Sequence, residues 1–158
     1  MTEQEALAPL KSLNSNDPTY ITFMNNCREK AEGWWLDFSG IPVSYGAIKP
    51  GQALQMNTYL THPWVFRASD GAKLLVNLSE VYFPTPAEYE EHGNPLYKPV
   101  YITAPVYSLQ EYCIRLIQKT VRKEDVYKLE IPEYLRQEIS RPPDILRDIK
   151  ALSAQRAM

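Results

Sequence analysis

Between residues 20 and 106, apolar and polar residues alternate in short runs that turn-forming residues separate. A period of two, in runs rich in β-branched and aromatic residues, is typical of strands with one buried face. Turn signals such as Lys49-Pro50-Gly51 and Ser69-Asp70-Gly71 lie between the runs, a spacing that favours a β-sandwich. We expect strands at 20–26, 34–38, 53–59, 63–68, 73–77, 79–83 and 99–104, and a long exposed loop at 84–98.

After Pro105 the apolar pattern changes to the period of a helix. Ser108-Leu109-Gln110-Glu111 is a capping box, in which the Ser and Glu side chains each satisfy a free backbone N–H. The predicted helix then carries one apolar stripe: Leu109, Tyr112, Cys113, Leu116, Ile117 and Thr120. Pro132, expected at the first helical position, opens a second short helix, and the spacing of Ile145, Ile149 and Leu152 predicts a third. The fold class is therefore α+β.

The strand at 34–38 contains two adjacent tryptophans. Alternation places Trp34, Leu36 and Phe38 on one face, which we expect to be the core face, and Trp35 and Asp37 on the other. An outward indole is typical of a residue that anchors a partner. The alternative is that a loop covers Trp35.

Composition excludes several classes of function. The net charge of −2 across 158 residues gives no general basic surface for nucleic acid, and we expect no nucleic-acid partner. No apolar run reaches the roughly 20 residues of a membrane helix, and the first ten residues lack the order of a signal peptide. We therefore expect a soluble, intracellular chain.

Two cysteines and two histidines, without ligand spacing, predict neither a disulfide framework nor a metal site, and we expect no cofactor.

Hydroxyl groups, a histidine and aromatic rings are concentrated between Met56 and Trp64. This mixture suits a shallow pocket with aromatic walls, although ordinary sheet surface has a similar composition. His62 with Thr58 or Ser44 could form a nucleophile–base pair, but no catalytic motif accompanies these residues. A binding patch, plain surface and an enzyme all stay open at this point.

Three stretches resemble the von Hippel–Lindau tumour suppressor family, the substrate receptors of a cullin–RING ubiquitin ligase. The first is Trp35-Leu36-Asp37-Phe38-Ser39-Gly40 with Pro42 and Tyr45. The second combines Pro50-Gly51, Asn57-Thr58-Tyr59, His62, Trp64, Phe66-Arg67 and Leu74-Leu75-Val76-Asn77. The third is Ile102-Thr103, Pro105-Val106-Tyr107-Ser108-Leu109 and Cys113. The resemblance runs in order from about Lys11 to Leu152.

The resemblance implies an N-terminal β-sandwich, a small helical domain and a last helix that packs back on the sandwich. We therefore expect a substrate-recognition sandwich at 11–106, an elongin-binding helical domain at 107–141, and a C-terminal helix and tail at 142–158. It also implies a non-catalytic receptor, in the cytoplasm and nucleus, that binds a 4-hydroxyproline degron of the hypoxia-inducible factor alpha type. The implied partners are elongin C, elongin B and a cullin, with cullin-2 expected, together with its RING subunit.

The resemblance assigns two sets of site residues. Trp35, Tyr45 and Trp64 would form the walls of a slot for the proline ring, and Thr58 and His62 would bond its hydroxyl. Tyr45 would also bond a peptide carbonyl, and Asn57 and Tyr59 would support the extended peptide. The elongin-binding residues would be Ser108, Leu109, Tyr112, Cys113, Leu116 and Ile117, which form the family's BC box and its rim.

Several positions differ from the well-known members of the family. Thr58 replaces a Ser, Asn57 a His, Gly46 a Pro, and Asn16 and Tyr112 basic residues; Lys123 stands at an expected Pro, and the acidic loop 86–96 is longer. These differences indicate a divergent paralogue. Besides the hydroxyproline receptor, three alternatives therefore stay open: an elongin-bound receptor for a different, non-hydroxylated client, a scaffold without ligase activity, and an enzyme that acts through His62.

Overall fold

The computed structural model describes residues 9–156 of the chain. The strands are β1 Pro18–Asn25, β2 Ala31–Leu36, β3 Pro42–Ile48, β4 Ala53–Tyr59, β5 Trp64–Ala68, β6 Leu75–Val76, β7 Glu88–Tyr89, β8 Pro95–Leu96 and β9 Lys98–Thr103. The helices are α1 Leu109–Thr120, a 3₁₀-helix at Lys123–Lys128, α2 Glu133–Ser140 and α3 Ile145–Arg156. Strands followed by helices confirm the predicted α+β class.

Two sheets build the N-terminal half. The first has the strand order β4-β1-β9-β6 and the second the order β3-β2-β5, while β7 and β8 form a separate hairpin. All described pairings are antiparallel except that of β1 with β9. A buried apolar cluster that includes Phe23, Trp64, Phe66 and Val100 combines residues from both sheets, so the main core lies between them.

The second sheet is packed on both faces. Trp35 and Phe66 belong to the face that contributes to the main core, whereas Leu36 and Val65 form a second cluster with Ile149 of α3. The prediction that the face of β2 with Trp34 and Leu36 is the core face is therefore wrong in part, because Trp35 lies on the face between the two sheets. Both tryptophans of β2 are half-buried, since each face of this strand has a packing partner.

The described residues fall into two compact units. The sandwich unit comprises the residues up to Pro105 together with those from Asp144 onward, and the helical unit is Val106–Pro143. Helix α3 thus belongs with the sandwich, on which Ile149 is buried. Within residues 9–156, no helix has the length and apolar character needed to cross a membrane.

The helical unit is small and has few buried side chains. Val126 of the 3₁₀-helix and Ile139 of α2 are buried, whereas α1 contributes no fully buried residue. The Gln118 side chain connects α1 to the end of α2 by donating to the carbonyls of Ile139 and Arg141, each at 3.2 Å. The apolar side chains of α1 are therefore left largely uncovered within this unit.

Several element predictions are wrong in detail. The expected loop at 84–98 contains the β7–β8 hairpin, and 79–83 forms only isolated bridges at Ser79 and Tyr82. Strand β3 and the 3₁₀-helix were not predicted, and Pro132 caps α2 instead of occupying its first turn. The predicted capping box at Ser108 is confirmed, with the Glu111 N–H donating to Ser108 Oγ at 3.1 Å.

The contact between Arg67 and Asp148 gives a stability prediction. The Arg67 side chain is buried on β5, and its Nη2 lies 3.7 Å from a carboxylate oxygen of Asp148 on α3. Because Asp148→Asn removes an opposing charge from a buried guanidinium, we expect the free energy of unfolding to fall by about 1 kcal/mol in urea denaturation. Glu80→Gln is the matched control, since its pair with Lys73 is shorter, at 2.9 Å, but exposed. An equal loss in both variants would contradict this prediction.

Candidate functional site

Four aromatic side chains meet at one end of the sandwich. Trp35 stacks on His62 with ring centroids 5.1 Å apart and an interplanar angle of 27°. Trp35 also meets the edge of Tyr45 at 6.3 Å, and Tyr45 meets Trp64 at 5.1 Å. These contacts bring together the three expected wall residues and the expected histidine.

Strand register explains why these rings converge. Trp35 of β2 lies directly opposite Trp64 of β5, and cross-strand neighbours on one face approach closely. Tyr45 comes from β3, on the other side of β2, where the register shifts between Glu32 and Trp34. Gly46 follows with φ +87°, a value that proline, fixed near −65°, cannot adopt. The chain at position 46 therefore adopts a backbone conformation that Pro excludes.

Thr58 and His62 supply the polar groups beside these rings. The Trp64 Nε1–H donates to the buried Thr58 Oγ1 at 3.1 Å, so the hydroxyl proton of Thr58 is left to donate elsewhere. His62 Nε2 lies 3.0 Å from the Asn14 carbonyl oxygen. Because a carbonyl only accepts, Nε2 carries the proton, and in neutral His62 the other nitrogen, Nδ1, is an acceptor. The two side chains therefore offer one donor and one acceptor.

A segment near the N-terminus completes the site. Ser12 Oγ accepts a hydrogen bond from Trp35 Nε1 at 2.7 Å and donates to the Leu36 carbonyl at 2.6 Å. Thr61 Oγ1 accepts from the Asn14 backbone N–H and donates to its carbonyl oxygen. Sequence reasoning missed Ser12 and Asn14, because short polar side chains at that distance from the aromatic residues give no periodic signal.

The position of Phe38 also differs from the sequence prediction. It was expected in the core, but half of its side chain is exposed, because β2 ends at Leu36 and the chain turns at Ser39-Gly40. Its ring packs edge-on against Trp35 at 5.7 Å and against His62 at 5.5 Å. Phe38 therefore belongs to the aromatic site.

Tyr59 and Asn57 occupy different surroundings. Tyr59 packs beside His62 with ring centroids 4.9 Å apart. Asn57 instead accepts a hydrogen bond from the Tyr97 hydroxyl at 2.9 Å, and Tyr97 packs edge-on against Tyr20. Tyr97 follows β8, so a residue distant in sequence holds the Asn57 side chain.

The second candidate site lies on α1 of the helical unit. Leu109 is 80% exposed and Leu116 61% exposed, and Tyr112 and Cys113 are also exposed, whereas Ile117 is half-buried. Ser108 acts as the N-cap of the helix. Tyr112 packs edge-on against Tyr107, over whose ring Arg115 lies. The predicted stripe is thus an apolar surface that α1 presents outward.

Two family models match the chain. The VHL beta domain matches residues 10–90, just over half of the chain, and the VHL box domain matches residues 107–155. The chain belongs to the von Hippel–Lindau family. The two matches follow each other in the order that the sequence predicted.

Membership of the von Hippel–Lindau family defines a general role. The family provides substrate-recognition adaptors of ubiquitin ligases and not their catalytic subunits. Its box domain is the module for contact with elongin and a cullin, and here this match includes all of α1. Among residues 9–156, no group of three or more potential metal-ligating side chains is found.

His62 of this family member gives a prediction about pH. Burial lowers its pKa below the ordinary 6.5, because the imidazolium would lose water, while the bond to the Asn14 carbonyl opposes the shift. Below pH 6.5 the unfolded chain therefore binds more protons at His62 than the folded chain does. The stability that depends on a neutral His62 is complete above pH 6.5 and is lost as the pH falls through the pKa of the folded state. We expect the urea concentration at the unfolding midpoint to decrease when the pH is lowered from about 7 to about 5, and to decrease less in His62→Gln. A pH slope in His62→Gln equal to that of the wild type would refute the assignment.

Proposed function

We propose that this chain captures a client peptide containing 4-hydroxyproline, of the hypoxia-inducible factor alpha type, for ubiquitination. The matched pair of Thr58 and His62 carries the proposal. A hydroxyl group both donates and accepts, so it can accept from the Thr58 O–H and donate to His62 Nδ1. The hydrogen bonds to Trp64 and Asn14 leave these two roles open.

The aromatic walls supply the apolar part of recognition. Trp35, Tyr45 and Trp64 surround the polar pair with flat apolar surface, which suits a five-membered ring. Tyr45 is nearly half exposed and is suited to bonding a peptide carbonyl through its hydroxyl. Unmodified proline would contact the same walls but would leave the Thr58 donor and the His62 acceptor without partners. Hydroxylation of the client would therefore act as the switch for binding.

Strand β4 provides a path for the rest of the peptide. It is the outermost strand of its sheet, and an extended peptide can add to such an edge through backbone hydrogen bonds. Asn57 and Tyr59 lie on this strand, and the Tyr97 hydroxyl holds the Asn57 amide oxygen, which leaves the amide N–H groups to donate. Position 57 would thus donate to the client.

The helical unit would connect the client to the ligase. We assign the exposed stripe on α1 to elongin C, with elongin B and a cullin, cullin-2 in the first instance, completing the assembly with its RING subunit. Burial of apolar side chains such as Leu109 and Leu116 would stabilise this contact. In this role the receptor itself catalyses no reaction and acts in the cytoplasm and nucleus. His62 is unsuited to be a base for Ser15, 3.4 Å away, because the facing nitrogen carries the proton.

One observation favours a second candidate, a receptor for a non-hydroxylated client. Thr58 is only 2% exposed, and the extra methyl group, compared with Ser, takes up space beside Trp64. If that methyl group closes the slot to a hydroxylated ring, the aromatic surface would instead select an ordinary apolar side chain.

The test is a titration of the complex with elongins B and C by calorimetry. A degron peptide containing 4-hydroxyproline and the same peptide with proline are compared under identical salt. Tight binding of the hydroxylated form alone supports the first proposal. Equal affinity for both favours the second, and affinity for neither overturns the hydroxyproline proposal.

A further inference from the structure

A groove on the sandwich unit lies outside the aromatic site. It has a volume of about 490 Å³ and runs between the segment 9–11, the turn 39–41 and helix α3. Leu10 and Ile149 are buried members of the second core cluster, and Ile41 is nearly half exposed. The apolar surface of the groove is therefore continuous with the core that holds α3 on the sandwich.

The charged residues among the described lining residues all have the same sign. They are Lys11, Lys150 and Arg156, one from the N-terminal segment and two from α3. The guanidinium of Arg156 lies over the Phe83 ring, 5.3 Å from its centroid. A partner that carries carboxylates beside an apolar surface would match both the positive charge and the apolar surface of this groove.

The walls also indicate the backbone conformation of the occupant. The residues that line the groove come from an irregular segment, a turn and a helix, and no strand edge is among the described ones. An extended peptide would find no ladder of backbone donors and acceptors there, whereas a helix satisfies its own backbone. Gly40 N–H, on one wall, already donates to the Asp37 carbonyl.

We propose that this groove binds an acidic amphipathic helix of a partner protein. Its apolar side chains pack on Pro9, Ile41 and Leu146, which are exposed or partly exposed, and its carboxylates pair with Lys11 and Lys150. The groove is separate from the aromatic slot, so this interaction does not depend on the proposed hydroxyproline recognition. The segment that contains Lys11 also contains Ser12, which accepts a hydrogen bond from Trp35, so the N-terminal segment contacts both sites.

The probe is a fluorescein-labelled helical peptide with Leu at i, i+3, i+4 and i+7 and Glu at the outward positions. Fluorescence anisotropy with the full chain bound to elongins B and C is expected to give saturable binding. Lys150→Glu should weaken it about fivefold, because attraction is replaced by repulsion, and the effect should shrink in high salt. Lys49→Glu, an exposed lysine away from the groove, is the control and should leave affinity unchanged.

Several results would overturn the proposal. These are no binding of the probe, equal weakening by Lys49→Glu, equal binding of a peptide with Lys for Glu, or binding of phosphatidylserine vesicles in place of the peptide. If the protein self-associates and Lys150→Glu abolishes this, the groove would bind a second copy of the chain, and the proposal of a partner helix would be refuted. Thr58→Val should bind the probe normally even if it loses the degron, which separates failure here from failure of the hydroxyproline proposal.

Discussion

Thr58→Val is expected to reduce the preference for the hydroxylated degron peptide, roughly a thousandfold in the wild type, by about tenfold to a hundredfold. Valine keeps the branched shape and removes the oxygen that would donate to the ligand. Each buried polar group left without a partner costs about 1–3 kcal/mol, so one lost donor removes a large part of the discrimination. Calorimetric titration of both peptides measures the ratio directly.

Two comparisons make this result interpretable. Thr58→Ser keeps the hydroxyl and removes only the methyl group, so it should retain the preference and relieve crowding in the slot. Valine also leaves Trp64 Nε1 without its acceptor, and a stability loss of about 1–3 kcal/mol should accompany it. Circular dichroism at the assay temperature confirms that the variant is folded. A full thousandfold preference in folded Thr58→Val would show that Thr58 does not read the hydroxyl.

The sequence predicted the elements whose signals are local. Ser108 and Glu111 are three residues apart, and their reciprocal hydrogen bonds form within a single turn. Strands such as β4 and β5 were also predicted closely, because their apolar patterns reflect burial on the sheet. Local chemistry therefore gave the α+β class and most of the element order.

Features that depend on distant partners could not be read in the same way. The face of Trp35 was misassigned because α3, more than 100 residues away, covers the other face of β2. Phe38 was expected in the core because nothing in the alternating pattern marks the end of the strand at Leu36. Similarly, Asn14 fixes the proton of His62 through a contact across 48 positions, and only the fold reveals it.

Leu109→Asp should abolish measurable assembly with elongins B and C, a loss of about a hundredfold or more. Its side chain is 80% exposed on α1, so a carboxylate there costs the folded chain little, yet it would become buried in the proposed interface. Leu78→Asp is the matched control, because Leu78 is 81% exposed on the sandwich unit. Calorimetric titration with the elongin pair should show wild-type affinity for the control. Denaturation should place both variants within about 0.5 kcal/mol of the wild type, since neither side chain is buried. Normal assembly of Leu109→Asp would mean that the α1 stripe is not the elongin contact, and the adaptor role would then need another surface.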